Sequence, residues 1–83
     1  MRVTSPSALA NVVRDQRKSH KKTQRETGDR VGIKQTTVSD FENKPESTKL
    51  DTLFKILAAL DLELHVVKRD AILNEGKIQK REW

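Results

Sequence analysis

The segment Thr23-Gln24-Arg25-Glu26, followed by Gly28 and then Gly32, confines the middle of this chain to two short helices joined at a glycine. Thr23 and Glu26 stand at capping-box spacing, where hydroxyl and carboxylate each satisfy an otherwise orphaned N–H at the helix start. The helix opened there runs from about Gln24 to Val31, and Gly32, which tolerates the left-handed conformation, ends it. A second short helix spans about Gln35 to Asn43 and buries Val38 and Phe41. The first helix needs a small residue where the second crosses it, and Gly28 supplies one.

The flanks extend the same pattern. Ser5-Pro6 starts a helix over about 6–19, with Ser as cap and Pro at a position whose N–H would be orphaned anyway. Leu9, Val12, Val13 and Gln16 mark its inner face. Lys44-Pro45-Glu46-Ser47 is a turn, and Thr48 with Asp51 offers a second capping box. Leu50, Leu53, Phe54, Leu57 and Leu60 then form one apolar face of a fourth helix. After Asp61 the period changes: Leu62, Leu64 and Val66 alternate with Glu63, His65 and Val67, which is strand spacing. Nothing else in the chain reads as a strand, so its backbone partners must come from a second copy across a two-fold axis. That pairing buries Leu62, Leu64 and Val66 against the helices and makes them the dimerisation residues. From Asn74 the chain is polar and charged to Trp83, which predicts disorder.

The expected fold is therefore all-α, a helical bundle with one C-terminal strand paired across a homodimer. Residues 5–61 form the bundle, 62–69 the dimerising strand and 70–83 a flexible tail. With 83 residues, 34% of them hydrophobic, and no cysteine, the chain has a small core and no disulfide or thiolate metal site, which also favours self-association. No apolar run reaches membrane-spanning length and the N-terminus has no secretory h-region, so a cytoplasmic protein is expected.

Charge narrows the function. Residues 1–49 carry 11 basic and 6 acidic side chains, whereas residues 50–83 carry 6 of each, so the whole excess of +5 lies in the first part. Arg14, Arg17, Lys18, Lys21, Lys22 and Arg25 face only Asp15 locally. A docked polyanion and a merely solvated basic surface both fit that distribution. The helix–Gly–helix layout, with Val31, Ile33, Val38 and Phe41 beneath it, is that of a helix-turn-helix. Its second helix projects Lys34, Gln35, Thr36, Thr37, Ser39 and Asp40. Gln suits the adenine edge, and Thr can touch a thymine methyl while offering a hydroxyl, so reading of double-stranded DNA is favoured over an ordinary surface helix. Enzymatic readings are poor: His20 and His65 lie 45 positions apart with no carboxylate spacing for a metal or triad, and Gly28, Gly32 and Gly76 form no phosphate loop. No cofactor is expected.

The run from Thr23 to Glu42, with Leu50–Leu60 after it, resembles the Cro/phage-repressor (XRE-type) helix-turn-helix family. Ser5-Pro6, Leu9-Ala10-Asn11, Gly32-Ile33-Lys34-Gln35, Asn43-Lys44-Pro45, Phe54-Lys55-Ile56-Leu57 and Glu82-Trp83 resemble, more narrowly, its HipB-type antitoxins. The resemblance implies a bacterial, nucleoid-associated homodimer with paired C-terminal strands that represses its own palindromic operator and holds a HipA-like serine/threonine kinase toxin inactive. It places Gln24 at a phosphate-contacting helix start. Lys34, Gln35, Thr36 and Ser39 fall at base or phosphate contacts, with Thr37 on the same helix; Lys22 and Arg25, from the basic cluster, are candidate phosphate contacts. Asp40 stands where relatives carry a neutral polar residue; it accepts from cytosine N4 or points away. Thr27 and Gly28 replace a usual Leu-Ala, which weakens the core and costs about 1 kcal/mol of helix propensity at the glycine. By position alone Trp83 is equally a chance terminal residue, one that folds back on the protein, or an aromatic anchor; the HipB-type ending favours an anchor for the partner kinase. A stand-alone repressor of the same family, or an adaptor that binds protein and never reads bases, are the alternatives.

Overall fold

Local capping chemistry sets most helix boundaries. The computed structural model describes residues 2–69, in the order α1 (Pro6–Ser19), α2 (Gln24–Val31), α3 (Gln35–Asn43), a 3-10 turn (Pro45–Ser47) and α4 (Leu50–Ala59). The tail 70–83, with Trp83, lies outside the described residues. Ser5 Oγ accepts from the Ala8 N–H at 3.1 Å, and Pro6 follows it. The capping box at α2 is complete: the Glu26 N–H donates to Thr23 Oγ1 at 3.0 Å and the Thr23 N–H to Glu26 Oε1 at 2.8 Å. That backbone hydrogen bond from Thr23 holds the Glu26 carboxyl below the ordinary glutamate range. The second expected capping box does not form. Thr48 instead closes the 3-10 turn, donating its N–H to the Pro45 carbonyl at 3.1 Å, and α4 starts after Lys49 without a side-chain cap.

Three helices end alike. Lys21 (φ 57°), Gly32 (φ 73°) and Asp61 (φ 59°) adopt the left-handed conformation after α1, α2 and α4. The next residue reaches back five positions: Lys22 N–H to Arg17 C=O at 3.0 Å, Ile33 to Gly28 at 3.0 Å, and Leu62 to Leu57 at 2.8 Å. This satisfies terminal carbonyls and turns Ile33 and Leu62 back onto the core. Arg30 completes the end of α4 from outside, its Nη1 donating to the Ala59 carbonyl at 2.8 Å.

The core comprises Ala10 and Val13 of α1, Phe41 of α3, and Leu53, Ile56, Leu57 and Leu60 at α4. Thr27 is fully buried, and its hydroxyl donates to the Thr23 carbonyl at 2.9 Å, so its polar atom is satisfied. Gly28 meets α3's approach at backbone distance: a Cβ there would lie 2.5 Å from the Ile33 carbonyl oxygen. The propensity cost of Gly28 is thus the condition for the close turn.

Packing differs from the periodicity in places. α4 turns Leu53, Ile56, Leu57 and Leu60 inward, while Leu50 and Phe54 are 70% and 52% exposed. α4 is apolar on more than one side, and the stripe that meets α1 and α3 is offset from the one spacing selects. In α1, Val12 and Gln16 are half-buried, whereas Ala10 and Arg17 are buried; Val31 and Ile33 are half-buried.

Residues 62–68 have no regular secondary structure, and no strand is present among the described residues. Leu62 packs on the core, while in a single chain Leu64 and Val66 are 44% and 87% exposed. The segment leaves the α4 end at Asp61, and among the described residues nothing covers its outer face. With Val3, Leu9, Val12 and Leu50 these residues line a groove of about 900 Å³. Among the described residues no helix is long and apolar enough to cross a membrane.

Candidate nucleic-acid interface

α3 divides cleanly into two faces. Val38, Phe41 and Glu42 point inward and are buried, Thr37 and Ser39 are half-buried at the flanks, and Gln35, Thr36, Asp40 and Asn43 are exposed. Lys34, immediately before the helix, is exposed as well. Such a helix, with short polar side chains outward and anchored from behind, has the dimensions to enter a DNA major groove.

The anchoring runs through a chain of side chains. Gln35 Nε2 donates to Gln24 Oε1 at 2.6 Å, and Gln24 Nε2 donates to Glu42 Oε1 at 3.0 Å. Glu42 also accepts from Arg17 Nε at 2.7 Å and Nη2 at 3.0 Å, while Arg17 Nη1 donates to the Lys22 carbonyl at 2.8 Å. One path therefore joins α1, the α1–α2 connection, the start of α2 and both ends of α3. Burial alone raises the Glu42 carboxyl, but the hydrogen bonds from Arg17 and Gln24 and the nearby Arg17 and Arg14 charges outweigh it, so the group lies below the ordinary range.

The expected site residues meet in part. Gln24, half-buried, and Gln35 are in direct contact; Arg25 is exposed beside them at the start of α2. Ser39 Oγ accepts from Asn43 Nδ2 at 3.2 Å, which holds the hydroxyl in place. Arg17, counted with the basic cluster, is instead 8% exposed and committed to Glu42, so it is withdrawn from any polyanion. Lys18, Lys21 and Arg25 are exposed and Lys22 half-exposed around the α1–α2 connection, while Arg14 Nη2 donates to Asn11 at 2.8 Å. Sequence reasoning missed Arg17, Glu42 and Asn43 as site-building residues. A signal existed: Arg17 follows Ala10 and Val13 at helical spacing, and Glu42 follows Val38, so opposite charges interrupt two inward stripes.

Comparison with known proteins agrees with this architecture. A family model described as helix-turn-helix matches residues 13–67. Antitoxin HipB of Escherichia coli strain K12 is 39% identical over 83 residues, covering 99% of this chain and 94% of that protein. Among solved structures, one described as a HipB-O4 20mer complex superimposes with a TM-score of 0.81 at 41% identity, over 82% of this chain and 96% of that one. A HipA-HipB-O2-O3 complex matches with the same TM-score of 0.81 and identity of 41%, and the same shares of both chains. With a helix-turn-helix over most of its length and near-full-length identity to these relatives, the chain belongs to the HipB antitoxin family of helix-turn-helix proteins.

Proposed function

We propose that this protein is the antitoxin and transcriptional autorepressor of a toxin–antitoxin pair, binding a palindromic operator as a homodimer and neutralising a HipA-like kinase toxin in the bacterial cytoplasm. The near-full-length identity to HipB carries this reading, and the two-faced α3 supports it. In it, α3 enters the major groove with Gln35, Thr36 and Ser39 at base edges, and Lys34, Gln24, Lys22 and Arg25 meet phosphates. Phosphate contacts set position and affinity, whereas the polar face of α3 sets sequence. Residues 62–69 pair across the two-fold axis, which accounts for the exposure of Leu64 and Val66 in one chain. Two reading helices so related engage half-sites about 34 Å apart, one duplex turn. Trp83, in the tail, serves as an anchor for the kinase.

The test combines two measurements. Gel shifts with the DNA upstream of this gene should give a salt-dependent complex that random DNA of equal length competes poorly. Co-expression with a HipA-like kinase from the same genome should relieve that kinase's toxicity and yield a co-purifying complex. Equal competition by random DNA defeats the repressor reading, and failure of both rescue and co-purification defeats the antitoxin reading.

A further inference from the structure

At about 100° per residue, Thr36, Asp40 and Asn43 fall within a sector of about 60° at the centre of α3's outward face, opposite Val38, Phe41 and Glu42. Of the polar groups beside Asp40 on this face, Asn43 is engaged with Ser39, and the Thr36 hydroxyl makes no hydrogen bond to the Asp40 carboxylate. The Asp40 side chain is exposed, and among the described residues no ion pair or hydrogen bond takes up its carboxylate. Lys44, four residues on, lies beyond the helix and makes no ion pair with it. An acceptor-only anion thus sits, without a partner, where the helix reaches furthest outward.

Between two walls of phosphate, an anion there is repelled unless a donor waits on the groove floor. Guanine presents only the acceptors N7 and O6, and thymine an acceptor and a methyl group. Adenine pairs its N6 donor with the N7 acceptor, which repels a carboxylate. Cytosine presents the N4 amino group, a donor without an adjacent acceptor of its own. We infer that Asp40 is a specificity-determining residue that selects cytosine, through N4, at one position of each half-site. The inference rests on the operator-binding reading above and deepens it: the same anion that admits cytosine penalises the other three bases.

The experiment is selection from a randomised double-stranded library by the wild-type protein, Asp40→Asn and Asp40→Ala, with thermal midpoints measured in parallel. The wild type should enrich a palindrome with cytosine at one symmetry-related pair of positions, and Asp40→Asn should move that pair towards adenine, since Asn can bond N6 and N7 together. Positions read by Gln35 should stay as they were. Direct titration gives an arm that needs no variant: replacing one of those two cytosines should weaken wild-type binding about five- to a hundred-fold. Asp40→Ala should lose most of that discrimination. A palindrome whose base preferences are the same in all three proteins, or one without a cytosine that wild-type affinity depends on, overturns the assignment while leaving operator binding intact. Enrichment of no motif by the wild type overturns operator reading itself, and the assignment with it.

Discussion

Arg17 and Glu42, 25 positions apart, meet through two hydrogen bonds of 2.7 and 3.0 Å with side chains only 10% and 3% exposed. Removing one partner strands the other charge in the interior. Arg17→Met or Glu42→Leu should each cost about 3–5 kcal/mol. The double variant Arg17→Met/Glu42→Leu should recover most of that stability, because two matched apolar groups need no desolvation. It should still bind DNA weakly, since Gln24 and, through it, Gln35 lose their support. Chemical denaturation and gel shifts on the same three variants separate the two effects.

Acid should act through the same pair. Glu42 has a lower pKa in the folded chain than in the unfolded one, so the unfolded state binds more protons in between. Its stabilising contribution is complete above the ordinary glutamate range and is lost as pH falls through the lowered value. Glu26, held low by the Thr23 amide, moves in the same direction. Thermal midpoints should fall as pH drops below that range, and Glu42→Gln should flatten the slope.

Backbone conformation predicts opposite signs at four positions. Lys21→Gly should stabilise by about 0.5–1 kcal/mol, because lysine pays for its left-handed φ and glycine does not. Asp61→Gly should gain less, aspartate being more tolerant of that region. Gly32→Ala should lose about 1 kcal/mol from φ alone, as nothing crowds its Cβ position. Gly28→Ala should lose about 1–3 kcal/mol for the other reason, collision with the Ile33 carbonyl. Urea midpoints rank all four.

On DNA, Gln35→Ala should cost about 1–3 kcal/mol on the specific site and relax one position of the motif. Lys22→Ala or Arg25→Ala should weaken specific and random DNA alike and lower the salt slope by about one unit each. Equal losses on both kinds of DNA for Gln35→Ala would remove it from the base-reading residues.

Leu64→Asp and Val66→Asp should yield monomers that bind the full operator poorly. In a single chain both side chains are exposed, so the helices themselves should remain folded. Sedimentation and far-ultraviolet dichroism read the two outcomes independently. A stable wild-type monomer at micromolar concentration would refute pairing through this segment.

Helix boundaries were legible in the sequence because caps are local: Ser5-Pro6, Thr23 with Glu26, and Gly32 act within a few residues of themselves. The polar face of α3 and the need for a small residue at Gly28 were legible for the same reason. The inward stripe of α4 was not, since a helix apolar on several sides is oriented by its neighbours and not by its own period. The Arg17–Glu42 pair was legible only as two charges on inward stripes; their meeting is made by the tertiary fold. The left-handed conformation of Lys21 and Asp61 has no local signature, since neither is a glycine and it is imposed by the carbonyls each helix end must satisfy.

The hydrogen bond from Arg30 to the Ala59 carbonyl links the end of α2 to the point where the chain leaves α4 for Leu62. From there the path back to α3 is short and stiff, through α2 and the Gly28–Ile33 approach. A dimer joined at residues 62–69 would hold its two reading helices like the jaws of a fixed caliper. One base pair added between half-sites swings the second by about 35° around the duplex. Such a gauge has little give, so the protein would reject a mis-spaced operator even where every base it touches is correct.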